Sequence, residues 1–209
     1  KLGQTALHLA CERGHGPVVK KLLSSGDAHL VAARERITGQ TALHMAAEAG
    51  HTEAVRAILE ASPLRDTSLA VDRGARNTAL HLAAERGHLE TVKILVELCP
   101  DTESLLMAQE KFAGQTALHL AAGAGHAELC RVLLELAHSL SNTLLSTQDK
   151  SGGFTPLQLA CEKGHAEVIE VLLEGDPDKG ARLKESLEKW SGFTALHLVA
   201  YRGHADAAK

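Results

Sequence analysis

Aromatic side chains are scarce in this chain: one Trp, one Tyr and three Phe in 209 residues, or 2%. Aromatic rings usually supply much of the buried area of a folded domain, so a core here has to be built from Leu, Ala, Val and Ile. Cysteine is equally sparse. Cys11, Cys99, Cys130 and Cys161 form no closely spaced pair, which excludes a disulfide scaffold and suits free thiols in a reducing, intracellular and cytoplasmic setting. These residues contain no leader-like segment and no apolar run long enough to cross a bilayer. The net charge of -4 lacks the basic excess expected of a nucleic-acid binder. Also missing are the phosphate-cradling glycine loop, H-E-x-x-H, G-x-S-x-G and calcium-loop spacings. The chain is nonetheless 44% hydrophobic and 23% charged, a composition that folds.

One short stretch carries metal-ligand chemistry. In "HLACERGH" (8–15), His8, Cys11, Glu12 and His15 fall at i, i+3, i+4 and i+7, one face of a continuous helix, and all four are zinc-ligand types. Comparison within the chain decides against a metal. "TALHLA" at 5–10 returns as "TALHMA" (41–46), "TALHLA" (78–83 and 116–121), "TPLQLA" (155–160) and "TALHLV" (194–199), at spacings of 36, 37, 38, 39 and 39 residues. The position of Cys11 is Ala47, Ala84, Ala122, Cys161 and Ala200 in the other copies, so it reads as a small packing site between helices. His15 belongs to a Gly-His pair found in every copy, beyond a glycine that stops the helix. The expectation is therefore no metal, no cofactor and no catalytic residue.

Each copy reads as two short helices. Thr5 and its counterparts are good N-caps, Leu7, Leu9 and Ala10 make an apolar face, and Gly14 ends the first helix. The second helix begins near Glu53, Glu90, Glu128, Glu167 and Asp206, acids suited to the positive end of a helix dipole. Arg56, Lys93 and Arg131 are spaced for ion pairs with acids three residues before and four after. Cys130 stands in a column otherwise held by Val19, Val55, Val92 and Ile169, a core position. Pro63, Pro100 and Pro177 follow the Leu-rich ends and prevent further helix.

The pattern T-A-L-H-L-A-A-E-x-G-H-x-E-x-V-x-x-L resembles the ankyrin repeat family, over essentially the whole chain and in six copies. The resemblance implies one all-α solenoid domain over 1–209, with stacked antiparallel helix pairs starting near Thr5, Thr41, Thr78, Thr116, Thr155 and Thr194 and β-hairpin-like fingers along one edge. It also implies that His8, His44, His81, His119 and His197 hydrogen-bond their own Thr and the adjoining finger, with Gln158 substituting in the fifth copy. The implied function is protein–protein interaction through a concave face made by finger tips and first helices.

Departures from the family pattern supply the candidate site. Every spacing exceeds the usual 33 residues, and the excess lies between the second helix and the next Thr. Leu30-Val31, Leu105-Leu106 and Leu144-Leu145 in these connectors predict an extra helical turn or a short strand packed on the stack; 101–108 and 177–188 look most helical. Each connector ends in an acid–base pair: Glu35-Arg36, Asp72-Arg73, Glu110-Lys111, Asp149-Lys150 and Glu188-Lys189. The tips thus offer Arg36, Arg73, Lys111, Lys150 and Lys189, beside Ile37, Phe112 and Trp190. Behind them on the first helices lie Arg13, Arg86, Lys163, Tyr201 and Arg202. Aromatic and Arg anchors favour interface hot spots, and the cations suit a partner with acidic and apolar character. Trp190 and Tyr201 are expected to face the same edge.

Residue 1 falls inside a finger and the sixth second helix has barely begun at Lys209. The expectation is a fragment without capping repeats, monomeric, with end-to-end stacking open to its uncapped ends. Two alternatives stand beside a binding module: a regulatory or targeting segment of a larger enzyme or channel, and an engineered or reconstructed scaffold, against which the uneven spacing argues.

Overall fold

The computed structural model describes residues 3–62, 65–176 and 192–208. The chain divides into two compact units, 1–110 and 111–209. In the first, helix pairs α1 (Ala6–Glu12) and α2 (Gly16–Leu23), α4 (Ala42–Glu48) and α5 (Thr52–Ala61), and α7 (Ala79–Glu85) and α8 (Leu89–Glu97) alternate with short connector helices α3 (Ala28–Ala32), α6 (Arg65–Ser68) and α9 (Thr102–Met107). The second holds α10 (Ala117–Ala124), α11 (Ala127–Ala137), connector helix α12 (Ser141–Ser146), α13 (Pro156–Lys163), α14 (Ala166–Glu174) and α15 (Ala195–Arg202). Like elements stack: α1 on α4 and α4 on α7, α2 on α5 and α5 on α8, α10 on α13 and α13 on α15, α11 on α14.

Local chemistry explains the boundaries. Thr5 starts α1 through a capping box: its hydroxyl accepts the His8 N–H, and His8 Nδ1 accepts the Thr5 N–H. The same box opens α4, α7, α10, α13 and α15, with Gln158 in place of His in α13. The first helices end at glycine. Gly50 has φ +72°, a left-handed conformation that costs glycine little, and the His51 N–H then reaches back to the Ala46 carbonyl at 2.9 Å. A Cβ on Gly50 would also lie 2.5 Å from His88 Nδ1, so the position is closed to side chains twice over.

Packing follows the repeat columns. Leu7, Leu43, Leu80, Leu118 and Leu157 are each at most 1% exposed. Cys11 and Cys161 are buried, as are Ala47, Ala84 and Ala122 of the same column, whereas Ala200 is exposed; Cys130 is buried, as are Val19, Val55, Val92 and Ile169 of its column. The connectors adopt the helical one of the two expected forms. Val31, Leu105, Leu106, Leu144 and Leu145 are buried, and Asp27 and Asp101 cap α3 and α9 by accepting the His29 and Ser104 N–H groups. Segment 177–188 and the Pro63 and Pro177 positions lie outside the described residues.

The fingers are hairpin-like turns without a strand ladder. Three of them are closed by a backbone bond across the turn, Glu35 N–H to the Gln40 carbonyl at 2.9 Å, Asp72 N–H to the Asn77 carbonyl at 2.9 Å and Asp149 N–H to the Phe154 carbonyl at 2.8 Å, and no strand occurs among the described residues. The acids Glu35, Asp72 and Asp149 bind turn N–H groups themselves. Glu35 is 4% exposed and accepts the N–H groups of Ile37, Thr38 and Gly39 and the Thr38 hydroxyl. Donors that a strand ladder would use are thereby taken by one carboxylate. Burial alone would raise this carboxyl; the four hydrogen bonds outweigh it and hold the group at about 2.

Candidate partner-binding groove

The histidines belong to the scaffold. His8 Nε2 meets the Gln40 carbonyl at 3.2 Å and His44 Nε2 the Asn77 carbonyl at 3.0 Å. Carbonyls only accept, so Nε2 carries the proton and Nδ1 is left to accept from Thr. The pattern continues at His119 and, through its side-chain amide, at Gln158; His81 Nε2 meets the Ala108 carbonyl, just ahead of the next finger, at 3.0 Å. Burial holds His44 down at about 4, against the opposing pull of the Asn77 carbonyl and the Asp72 carboxylate. The Gly-His histidines have a second job. His51, His88, His165 and His204 donate to the carbonyls of Glu12, Glu48, Gly123 and Glu162, each satisfying the end of the previous copy's first helix.

His8 and Cys11 are thus committed separately. Burial pushes the Cys11, Cys130 and Cys161 thiols up to about 12, far from the thiolate that a nucleophile or zinc ligand needs. Among the described residues no group of three His, Cys, Asp or Glu side chains converges to hold a metal.

Between the fingers and first helices of the first unit lies a groove of about 520 Å³, within the size range of ligand sites. Its lining includes Glu12, Ile37, Met45, Glu48, Ala49 and Arg86. Amides from the residue before each Thr cross it: Gln4 Nε2 donates to Glu12 at 3.3 Å and Gln40 Nε2 to Glu48 at 3.2 Å. The same two positions in the sixth copy hold Phe193 and Tyr201, whose rings lie 5.9 Å apart. One pair of columns therefore makes a polar crossing in one unit and an aromatic one in the other.

Eleven of the thirteen expected contact residues are described, and all eleven are exposed. Ile37 and Arg86 line the groove, and Ile37 is 69% exposed. The tip cations are less available than expected. The stems of Arg36, Arg73 and Lys150 lie across Gly3, Gly39 and Gly114 of the preceding fingers, where a Cβ would come within 2.6 Å. The Arg73 and Lys150 N–H groups also bind the carbonyls of Thr38 and Ala113. Lys111 sits over the exposed Phe112 ring at 5.7 Å. Arg86 and Arg202 are held by Glu48 and Glu162 at 3.1 and 2.7 Å, and Arg202 also lies 5.8 Å from the Tyr201 ring. Arg13 and Lys163 make no ion pair among the described residues. Lys189 and Trp190, and with them the shared edge with Tyr201, lie outside the described residues.

Four overlapping matches to the family "Ankyrin repeats (3 copies)" cover residues 1–68, 64–143, 99–185 and 137–209. The chain belongs to the ankyrin-repeat family. Among solved structures it is similar to the crystal structure of the ankyrin repeat domain of Bcl-3, described as a unique member of the IkappaB protein family. That likeness has 28% identity and a TM-score of 0.80, and covers 99% of this chain and 84% of that one. No curated protein sequence matches. As an ankyrin-repeat chain it is a protein–protein interaction module, and no catalytic family is indicated. No helix among the described residues is long and apolar enough to cross a membrane.

Sequence reasoning missed Gln4, Gln40 and Met45 as groove residues. The acid column of Glu12 and Glu48 was legible beside the cation column as a mixed-charge edge, but which acid lacks a partner shows only when one copy's acids are read against the next copy's cations.

Proposed function

We propose that this ankyrin-repeat module binds a partner protein through the surface formed by its finger tips and first helices, the family's concave face. The observation carrying this reading is the groove of about 520 Å³ with Ile37 at its rim, 69% exposed where a turn has no packing need for an aliphatic side chain. Phe112 and Tyr201, 71% and 73% exposed, extend the same logic to the second unit; large exposed apolar side chains grouped with charge favour interfaces. The flanking cations Arg13, Arg36, Arg73, Lys111, Lys150 and Lys163 would set orientation and encounter rate more than affinity. Trp190 and Lys189 are proposed as contacts from their place in the sequence repeat alone.

A random-peptide display selection against the intact chain tests the reading. Selected peptides should lose binding to Ile37→Ser or to Tyr201→Ala, and keep it when Arg131→Ala or Glu135→Ala alters the second-helix surface. The opposite result places recognition on the second helices and overturns the reading.

A further inference from the structure

The first helices carry charge rungs that join successive copies. Glu48 holds Arg86 at 3.1 Å in the first unit, and Glu162 holds Arg202 at 2.7 Å in the second. In each rung the acid is seven residues after its Thr and the cation eight residues after the next Thr. Glu12 is the equivalent acid of the first copy, and the residue that should answer it is Ala49, which has no charge. Among the described residues the Glu12 carboxylate makes no ion pair and accepts only the Gln4 amide, at 3.3 Å. Arg13 is its neighbour in sequence, and adjacent helix residues do not face each other.

Glu12 and Ala49 both line the groove, together with Met45 and the exposed Ile37. The other charges there are already used. Glu35 closes its finger turn, and Glu48 is shared between Arg86 and Gln40. Three carboxylates thus line the groove against one guanidinium. An unanswered carboxylate beside an apolar wall is complementary to a cation that carries an apolar neighbour.

We propose that the occupant of this groove is an extended segment of a partner protein that presents a Lys or Arg side chain to Glu12, in the space where Ala49 leaves the rung open, and an aliphatic or aromatic side chain to Ile37 and Met45. The inference rests on the binding surface proposed above and adds the chemistry of its occupant. It sets aside, for this groove, the acidic partner suggested by the tip cations, because Arg36 and Arg73 do not line it and Arg86 is paired with Glu48. The charge contact would set register and on-rate, and the apolar contact most of the affinity.

Fluorescence anisotropy with short labelled peptides tests this. One set carries Lys or Arg two residues from Leu or Phe; the matched set carries Glu in place of the cation. The intact chain should prefer the cationic set by about tenfold, and the preference should shrink with added salt. Ala49→Arg closes the rung and should remove the preference with the melting temperature unchanged or raised. Glu12→Lys should invert it. Cationic peptides bound unchanged by both variants, or no preference in the intact chain, overturns the proposal. If binding then still responds to Ile37→Ser, the groove remains the binding surface and only its charge chemistry is wrong. If Ile37→Ser is also without effect, both readings fail.

Discussion

The second copy and the two edge copies are written in nearly the same residues and differ in what surrounds them. Leu43 in the second copy is 1% exposed, whereas Leu196, at the same position in the sixth, is 65% exposed; Met45 is 9% exposed and Leu9, its counterpart in the first copy, 48%. Glu48 holds Arg86, while Glu12 faces an alanine. Yet Thr194 forms the same capping box as Thr41. A copy's own sequence therefore fixes its helices and caps, and its neighbours fix burial and charge pairing, as nearest-neighbour stacking requires. Burial is what differs in the first and sixth copies, whereas the open charge pair follows from the alanine at position 49 in the second copy.

The sharpest break of this comparison is a matched truncation. Leu43→Ala is expected to cost about 2–5 kcal/mol, a buried large-to-small change, and Leu196→Ala under about 1 kcal/mol, read by chemical denaturation. Equal costs would mean that Leu196 is covered in solution.

Acid comes next. His44 titrates at about 4 in the folded chain against an ordinary 6.5. The unfolded chain therefore takes up the proton first as pH falls. The neutral His44 contributes stability that is fully present above about pH 6.5 and lost progressively as pH drops through about 4, on the order of 2–3 kcal/mol. His44→Gln, the residue the fifth copy uses, should flatten that limb. Melting temperature against pH for His44→Gln beside the unaltered chain checks this.

A smaller effect belongs to the fingers. Glu35→Ala removes the acceptor of three turn N–H groups and should cost about 1–3 kcal/mol, with faster amide exchange at Ile37, Thr38 and Gly39. Smaller again, Cys11→Ala and Cys161→Ala should each cost under about 1.5 kcal/mol, since Ala fills that column elsewhere. Both thiols should stay unmodified by a thiol reagent in the folded chain.

The repeats made most of this legible. Comparing copies gave the helix starts at Thr, the stops at Gly, the core columns and the structural role of Cys11, because each is enforced within one copy. The connectors were half legible: Leu105-Leu106 demanded burial, but a short apolar pair does not choose between helix and strand. The fingers misled. Glu35-Arg36 looks like a charged tip, whereas the carboxylate turns inward to bind the turn and only the cation stays outside, an exchange of roles that needs three dimensions. A mixed-charge edge was legible, but the open rung was hidden for the related reason that Glu12 is defined by what Ala49 lacks, and an absent partner shows only once the pairing across copies is known.

The last and smallest stability effect leads to the most direct test. Ala49→Arg should add one exposed ion pair, worth about 0.2–1 kcal/mol, and close the open rung. Calorimetric titration of a cationic, apolar peptide selected on the intact chain should then show about a tenfold loss of affinity in this variant, with the fold at least as stable. Undiminished affinity in a folded Ala49→Arg protein would contradict the account.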